Sequence, residues 1–264
     1  MERTIPIDPI LEKGYNVRLL VDDFDGLIEK WSKWSEDFRA NADSSLDCQY
    51  GDGEKDKLDI FRCGKPNAPL FIFIHGGYWR NKDKSDFHYL APAFTQAGVN
   101  FAAINYTLAP EASMDEIVEE NREAVAWLVG HAAEYGVDPK RVHVVGHSAG
   151  GHLVAMLMAT DWSAQSTDLP ENGPLAGATA ISGLFDLEPI RLSYLNDSLQ
   201  LDEEQALKNS PVGLVPTAKV PLILALGAEE TSEYHRQQEG LQEAWSKYDL
   251  PLSVVEMPGL NHYD

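Results

Sequence analysis

Positively charged residues are scarce in this sequence, which has 21 lysines and arginines against 42 aspartates and glutamates and a formal net charge of −21. Nucleic acids and anionic membranes would repel such a chain, so we expect neither as a partner. Long apolar stretches are also missing, because the longest run, Val220 to Leu226, has the length of a buried strand. The first residues, Met1 to Lys13, lack the basic segment and apolar core of a secretory signal.

Cysteine is nearly absent, since the chain contains only Cys48 and Cys63. Two cysteines cannot build the disulfide framework of a small secreted protein, and we expect free thiols in a cytoplasmic protein. The eight histidines include no pair spaced four residues apart on a helix, and no glycine-rich phosphate loop is present. We therefore expect no metal and no cofactor, and a small molecule as the substrate. The sequence leaves the oligomeric state open, with a homodimer among the alternatives.

Segments of strand length and of helical periodicity alternate along the chain. The strand-like segments are 46–50, 57–62, 69–74, 100–106, 142–145, 175–182, 220–226 and 252–257, and the helical ones are 22–41, 86–97, 114–134 and 233–248. This alternation predicts an α/β protein with a mostly parallel, doubly wound sheet of about eight strands and helices on both faces. Ligands bind such a sheet at the carboxyl ends of its strands.

No linker divides the chain, so residues 1–264 are expected to form one domain. Residues 1–45 are polar with scattered aromatic side chains, and their helix either packs on the outer surface or partly covers the ligand site. Residues 183–215 are expected to form a lid-like excursion that holds a short helix.

The stretch from Val142 to Leu157 combines a strand, a sharp turn and an apolar helix. The turn reads Gly146-His-Ser-Ala-Gly150, the G-x-S-x-G pattern of a nucleophile elbow, in which a strained backbone raises a serine above the sheet edge. Side chains at the two glycine positions would collide with the neighbouring strand and helix. The pattern predicts Ser148 as a nucleophile, and a purely structural glycine-rich turn is the alternative.

A serine nucleophile needs a base, and the base needs a carboxylate that orients it. The partners follow in the order serine, acid, histidine. His262 lies in the loop after the last predicted strand, where the base belongs, whereas His152 and His235 lie within helices. The acid is expected after the strand 220–226, and the position three residues beyond Gly227 selects Glu230, with Glu229 as the alternative.

The third requirement is a set of backbone N–H groups that stabilise the oxyanion formed when serine attacks a carbonyl. Ala149, the residue after the nucleophile, supplies one of them. The glycine-rich segment His75-Gly-Gly-Tyr-Trp79 follows a buried strand, and its Gly77 and Tyr78, with Gly76 beside them, are the expected further donors.

These residues resemble the α/β-hydrolase-fold arylformamidases, or kynurenine formamidases, and their bacterial esterase-like relatives. The resemblance covers nearly the whole chain and depends on His75–Trp79, Gly146–Leu153, Ile181–Ile190, Asn209–Pro211, Glu233–Gln237, Asn261-His262, and Tyr15-Asn16 with Arg18. It implies an α/β-hydrolase fold in which Ser148 is the nucleophile, Glu230 the acid and His262 the base, although the family's acid is an aspartate. Family members generally continue into a helix after the histidine, so we expect either a truncated chain or another cover for that edge of the sheet.

The resemblance also implies a metal-independent serine hydrolase that cleaves N-formylkynurenine, or a similar aryl formamide or short acyl ester, through an acyl-enzyme. A formyl group needs a small pocket, for which Tyr78 and Trp79 are the expected walls. Phe185 and Tyr194 are expected to contact the leaving group, and core packing is the alternative for these aromatic side chains. Two other functions stay open: a general short-chain carboxylesterase without a role in tryptophan breakdown, and a non-catalytic binding module.

Overall fold

One sheet of eight strands organises the residues that the computed structural model describes, which are 8–165, 169–170 and 173–264. The strands are β1 (Ser44–Gln49), β2 (Lys57–Phe61), β3 (Ala68–Ile74), β4 (Asn100–Ile104), β5 (Val137–His147), β6 (Gly177–Ile181), β7 (Leu222–Gly227) and β8 (Leu252–Met257). Their order in the sheet is β1-β2-β4-β3-β5-β6-β7-β8. β2 is antiparallel to both of its neighbours, and the other neighbouring strands are parallel. The predicted mostly parallel sheet is therefore confirmed.

Helices pack on both faces of the sheet, as predicted. The α-helices are α1 (Pro9–Tyr15), α2 (Phe24–Arg39), α3 (Ala91–Ala97), α4 (Met114–Gly130), α5 (Ala149–Met158), α6 (Glu188–Arg191), α7 (Asn196–Leu199), α8 (Glu203–Lys208) and α9 (Ser232–Trp245), and 3₁₀ helices lie at Val17–Leu20, Lys84–Leu90, Trp162–Ala164 and Pro211–Gly213. None of the described helices is long and apolar enough to cross a membrane. Residues 1–7 of the predicted N-terminal segment lie outside the described residues.

The two core clusters explain why the central strands are continuously apolar. Ile72 and Ile74 of β3 belong to the larger cluster, with side chains of α1, α4, α5 and α9. Phe73, between them, points to the opposite face and joins a second cluster, against which the aromatic side chains of α2 pack. Because successive strand residues alternate between faces, a strand covered on both sides carries apolar residues at every position.

Two predicted elements differ in detail from the structure. The segment 86–97 is not one α-helix, because a 3₁₀ helix over Lys84–Leu90 precedes α3. Pro92 lies in the first turn of α3, where its missing N–H costs least, and an α-helix that ran through this position would lack the hydrogen bond from residue 92 to His88. The excursion 183–215 holds α6, α7, α8 and a 3₁₀ helix, so the expectation of a single short helix was wrong.

Candidate active site

Ser148 occupies a strained turn between β5 and α5. Its backbone has φ 58° and ψ −120°, a conformation that non-glycine residues rarely adopt. A Cβ atom at Gly146 would lie 2.1 Å from the carbonyl oxygen of Gly150, and one at Gly150 would lie 2.0 Å from the carbonyl oxygen of Ile74. Both positions therefore require glycine. The turn buries Ser148 at the head of α5 and at the wall of a cavity.

Glu230 and His262 form a buried pair on the turns that follow β7 and β8. The Nδ1 atom of His262 lies 2.7 Å from Oε2 of Glu230, and the other carboxylate oxygen of Glu230 accepts a hydrogen bond from the hydroxyl of Ser182. Burial raises the pKa of Glu230. The hydrogen bond and the charge of His262 lower it, as does the hydrogen bond from Ser182, and together these effects outweigh burial, so the pKa is lowered overall. Glu230 is thus ionised at neutral pH, and Nδ1–H of His262 is the donor. Glu229 is exposed to solvent.

A chain of hydroxyl groups, which the sequence did not predict, begins at Ser148. Its hydroxyl is placed as a donor toward that of Tyr234, in the first turn of α9, and this opposes the rise that burial causes in the Tyr234 pKa. The Tyr234 hydroxyl lies 2.7 Å from the Tyr78 hydroxyl, which donates to the carbonyl oxygen of Tyr15 at 2.5 Å. Because Tyr78 has one hydroxyl proton and donates it to a carbonyl, its oxygen accepts from Tyr234. The oxygen of Tyr234 is then an acceptor for Ser148, in addition to His262.

His147 ties the loop of His262 to the elbow. Its imidazole is placed to donate toward the backbone of His262, and the two rings lie 4.5 Å apart between centroids. Burial, together with the charge of His262, lowers the pKa of His147 to about 3. His147 is therefore neutral at neutral pH and adds no charge beside the Glu230–His262 pair.

The loop after β3 lies against the elbow with its backbone turned toward the cavity. A Cβ atom at Gly76 would lie 2.7 Å from the carbonyl oxygen of His147. Gly77 and Tyr78 both have positive φ, at 103° and 51°, and line the cavity with Gly76. Among the residues that the structure describes, no acceptor is found for the N–H groups of Gly77, Tyr78 and Ala149. These three N–H groups are available to a ligand.

Two of the aromatic residues expected to contact substrate are in the core instead, and the expectation was wrong for both. Trp79 is fully buried with its ring against His152, at 5.0 Å between centroids, and does not line the cavity. Phe185 is also fully buried outside the cavity lining. Tyr78 and Tyr194 do line the cavity. His152 has a packing role, with Nε2 donating to the carbonyl of Asn209 at 2.8 Å.

The cavity that holds Ser148 and His262 has a volume of about 550 Å³, within the range of small-molecule sites. Residues of the N-terminal segment form part of its wall, and these are Tyr15, Asn16, Val17, Arg18, Phe24 and Trp31. Within residues 8–165, 169–170 and 173–264, no group of three or more histidine, cysteine, aspartate or glutamate side chains could hold a metal ion.

The parallel sheet, the serine elbow and the carboxylate–histidine pair define a hydrolase of the α/β-hydrolase fold. Residues 58–245 match the family model described as BD-FAE, and the chain belongs to this family. It is 32% identical over 238 residues to a kynurenine formamidase of Salmo salar, with 87% of this chain and 78% of that protein covered.

Two further similar proteins have names that refer to ester cleavage. The chain is 34% identical over 239 residues to the carboxylic ester hydrolase LipM of Mycobacterium tuberculosis, with 82% of this chain and 55% of that protein covered. The crystal structure of a proposed thioesterase from Silicibacter sp. tm1040 superposes with a TM-score of 0.82 at 29% identity, with 96% of this chain and 92% of that chain covered. The predicted resemblance to arylformamidases and esterases is confirmed.

Proposed function

We propose that the protein is a serine hydrolase that releases formate from N-formylkynurenine or a closely similar aryl formamide. The observation that carries the proposal is the buried Glu230–His262 pair, at 2.7 Å, on the same cavity as the strained Ser148. The similarity to the salmon kynurenine formamidase supports the choice of a formamide as substrate.

The reaction follows from the placement of these groups. Ser148 gives its proton to Nε2 of His262 and attacks the formyl carbonyl carbon. The N–H groups of Gly77, Tyr78 and Ala149 stabilise the oxyanion. The tetrahedral intermediate collapses as the imidazolium protonates the leaving aniline nitrogen. Water, deprotonated by the same imidazole, then attacks the formyl ester, which releases formate and restores the serine.

The test is steady-state kinetics with N-formylkynurenine and p-nitrophenyl acetate and butyrate, with formate measured directly. We expect kcat/KM for the formamide to exceed that for either ester, and Ser148→Ala to abolish both activities with the fold retained by circular dichroism. A formamide rate near background refutes the proposed substrate. Ordinary activity in Ser148→Ala refutes the nucleophile.

A second candidate function is that of a short-chain carboxylesterase. The similarity to LipM favours it, although that relative is matched over only about half its length. Formamide and ester cleavage require the same nucleophile, base and oxyanion donors, so the site by itself fits both. Under this alternative the esters are the better substrates in the same experiment.

The segments around the cavity also suggest how a substrate reaches it. We propose that residues 1–45 partly cover the site and that residues 183–215 act as a lid-like wall, which Phe24, Trp31 and Tyr194 support because they line the cavity. We propose a cytoplasmic location, supported by the free thiols of Cys48 and Cys63. A small molecule is the proposed partner.

A further inference from the structure

The charge of the cavity wall is opposite to that of the whole molecule. The chain has twice as many acidic as basic residues, yet three cationic side chains, Arg18, Arg80 and Lys82, line the cavity with Ser148, against one carboxylate, Asp86. A local excess of cationic side chains in a strongly negative protein makes this cavity a favourable place for an anion.

Two of these cations lack a carboxylate partner among the residues that the structure describes. The guanidinium of Arg80 donates to the hydroxyl of Ser198 at 3.4 Å and lies 5.5 Å from the ring centroid of Tyr194. The ammonium of Lys82 lies 5.9 Å from the ring centroid of Phe24. By contrast, Arg18 is paired with Asp25 at 2.7 Å.

The environment of Lys82 disfavours an isolated charge. Burial lowers the pKa of its ammonium, and the nearby charge of Asp86 only partly offsets that effect. The Asp86 carboxylate itself accepts from the backbone N–H of Asp83 at 3.2 Å, as the cap of the 3₁₀ helix. A half-buried ammonium without an ion pair gains most from an anionic ligand that enters the same cavity.

The acyl side of a formamide is a single carbon, so most of the cavity of about 550 Å³ is left for the leaving group. We propose that Lys82 and Arg80 form a carboxylate subsite that selects substrates whose aromatic leaving group bears a carboxylate. This inference rests on the proposed function, because it takes Ser148 as the nucleophile from which the leaving group extends.

The experiment compares matched substrates that differ in the carboxylate. The first pair is N-formylkynurenine and its methyl ester, assayed by formate release, and the second is 3-acetoxybenzoate and phenyl acetate, assayed by acetate release. In the unmodified protein we expect kcat/KM to be about tenfold or more higher for the member of each pair that bears the carboxylate, the effect of one charge-assisted hydrogen bond. Equal values within each pair overturn the subsite.

Variants of Lys82 and Arg80 test whether these two residues cause the preference for the carboxylate. Lys82→Met keeps the aliphatic stem and removes the charge. We expect it to reduce the ratio of kcat/KM between the carboxylate-bearing substrate and its partner about tenfold, mainly through KM. Arg80→Met is expected to act in the same direction, and Lys82→Arg to restore most of the ratio. Lys30→Met, an exposed lysine on α2 outside the cavity lining, is the control and leaves the ratio unchanged. An equal loss in Lys30→Met and Lys82→Met attributes the selectivity to overall charge and refutes the assignment.

The two pairs also separate this inference from the proposed function. If neither formamide is cleaved while the esters are, the proposed formamide substrate is wrong, and the ester pair alone decides the subsite. If both formamides are cleaved at equal rates, the proposed function stands and the subsite does not.

Discussion

At the scale of single residues, we expect Tyr234 to compete with His262 for the proton of Ser148. Ser148 is placed as a donor toward the Tyr234 hydroxyl, and that interaction would have to break before His262 takes the proton. A neutral hydrogen bond stabilises the resting state by about 0.5–1.5 kcal/mol. Its removal raises the free energy of the resting state and so lowers the barrier to the transition state. We expect Tyr234→Phe to react about 2–10 times faster with diisopropyl fluorophosphate, measured as the second-order rate of inactivation.

The control for this experiment is Tyr248→Phe, which removes a hydroxyl from a ring placed beside Lys219 and Lys247 rather than in the cavity. It should leave the inactivation rate unchanged. A slower reaction of Tyr234→Phe contradicts the competition and assigns Tyr234 a supporting role in positioning the nucleophile.

The two adjacent glutamates after β7 are separated by their environments. Glu230 holds the imidazole of His262 through Nδ1, whereas Glu229 faces solvent. Glu230→Gln presents a neutral amide that no longer stabilises the imidazolium, and we expect kcat to fall about 10³–10⁴-fold. Glu229→Gln, the matched control, should stay within about twofold. Comparable losses in both variants would contradict the assignment of Glu230, and a loss in Glu229→Gln alone would transfer the role.

The sequence predicted some of these residues well and missed others for physical reasons. Gly146 and Gly150 could be recognised because the turn excludes side chains there, and chain order pointed to His262. Trp79 and Phe185 could not be placed, because an aromatic side chain beside a site packs into the core as readily as into the cavity. Tyr234 was within a recognised motif, but the direction of its hydroxyl depends on how α9 docks against the elbow, which is a long-range contact.

At the scale of elements, helix α2 presents two tryptophans to different surroundings. Trp31 lines the cavity and contacts Tyr263, the neighbour of His262, at 6.2 Å between ring centroids. Trp34 is nearly half exposed, contacts Tyr89 and does not line the cavity. We expect Trp31→Ala to raise KM for N-formylkynurenine about tenfold, because an aromatic wall of the leaving-group space is lost.

Trp34→Ala is the matched control on the same helix, and its KM should change by less than about twofold. Thermal unfolding of both variants distinguishes a local effect from a weakened docking of α2. An equal rise of KM in the two variants would contradict a direct role of α2 as a wall of the site.

Most strands and the helices α4, α5 and α9 were predicted closely, because burial on the sheet fixes where their apolar residues lie. β5 was expected at 142–145 and is longer, over Val137–His147, because its first half contains the mostly polar residues 138–141. The segment 84–97 was predicted less well, because Pro92 divides it into a 3₁₀ helix and α3. The short helices of residues 183–215 carry too few turns for periodicity to appear, and tertiary contacts decide them.

At the scale of the whole molecule, stability depends on pH through groups that shift in opposite directions. Burial raises the pKa of Glu120 and Glu123 on α4, so their ionised forms destabilise the fold, and stability rises as pH falls through their folded-state pKa. Glu230 and Asp59 have lowered pKa values, so their contribution is full above about pH 4 and is lost as pH falls further. A net charge of −21 adds repulsion that also weakens as acids protonate.

Four histidines set the sign near neutrality. Burial lowers the pKa of each in the folded protein, to about 3 for His147 and about 4 for His152, and the other two are His75 and His143. The same side chains titrate at about 6.5 in the unfolded chain, which therefore binds more protons as pH falls through that value. We expect the urea midpoint to be lower at pH 5.5 than at pH 8.0 and to fall further below about pH 4.

Glu120→Gln still accepts from the N–H of Thr107 but cannot ionise, so it lacks the stabilising protonation of Glu120 and should enlarge the fall between pH 8.0 and 5.5. Glu116→Gln, on the same helix, is the control, because hydrogen bonds from Ser113 lower the pKa of Glu116 and its loss should leave that fall unchanged. A midpoint that is higher at pH 5.5 than at pH 8.0 in the unmodified protein would mean that the charge excess and the acids with raised pKa values outweigh these histidines.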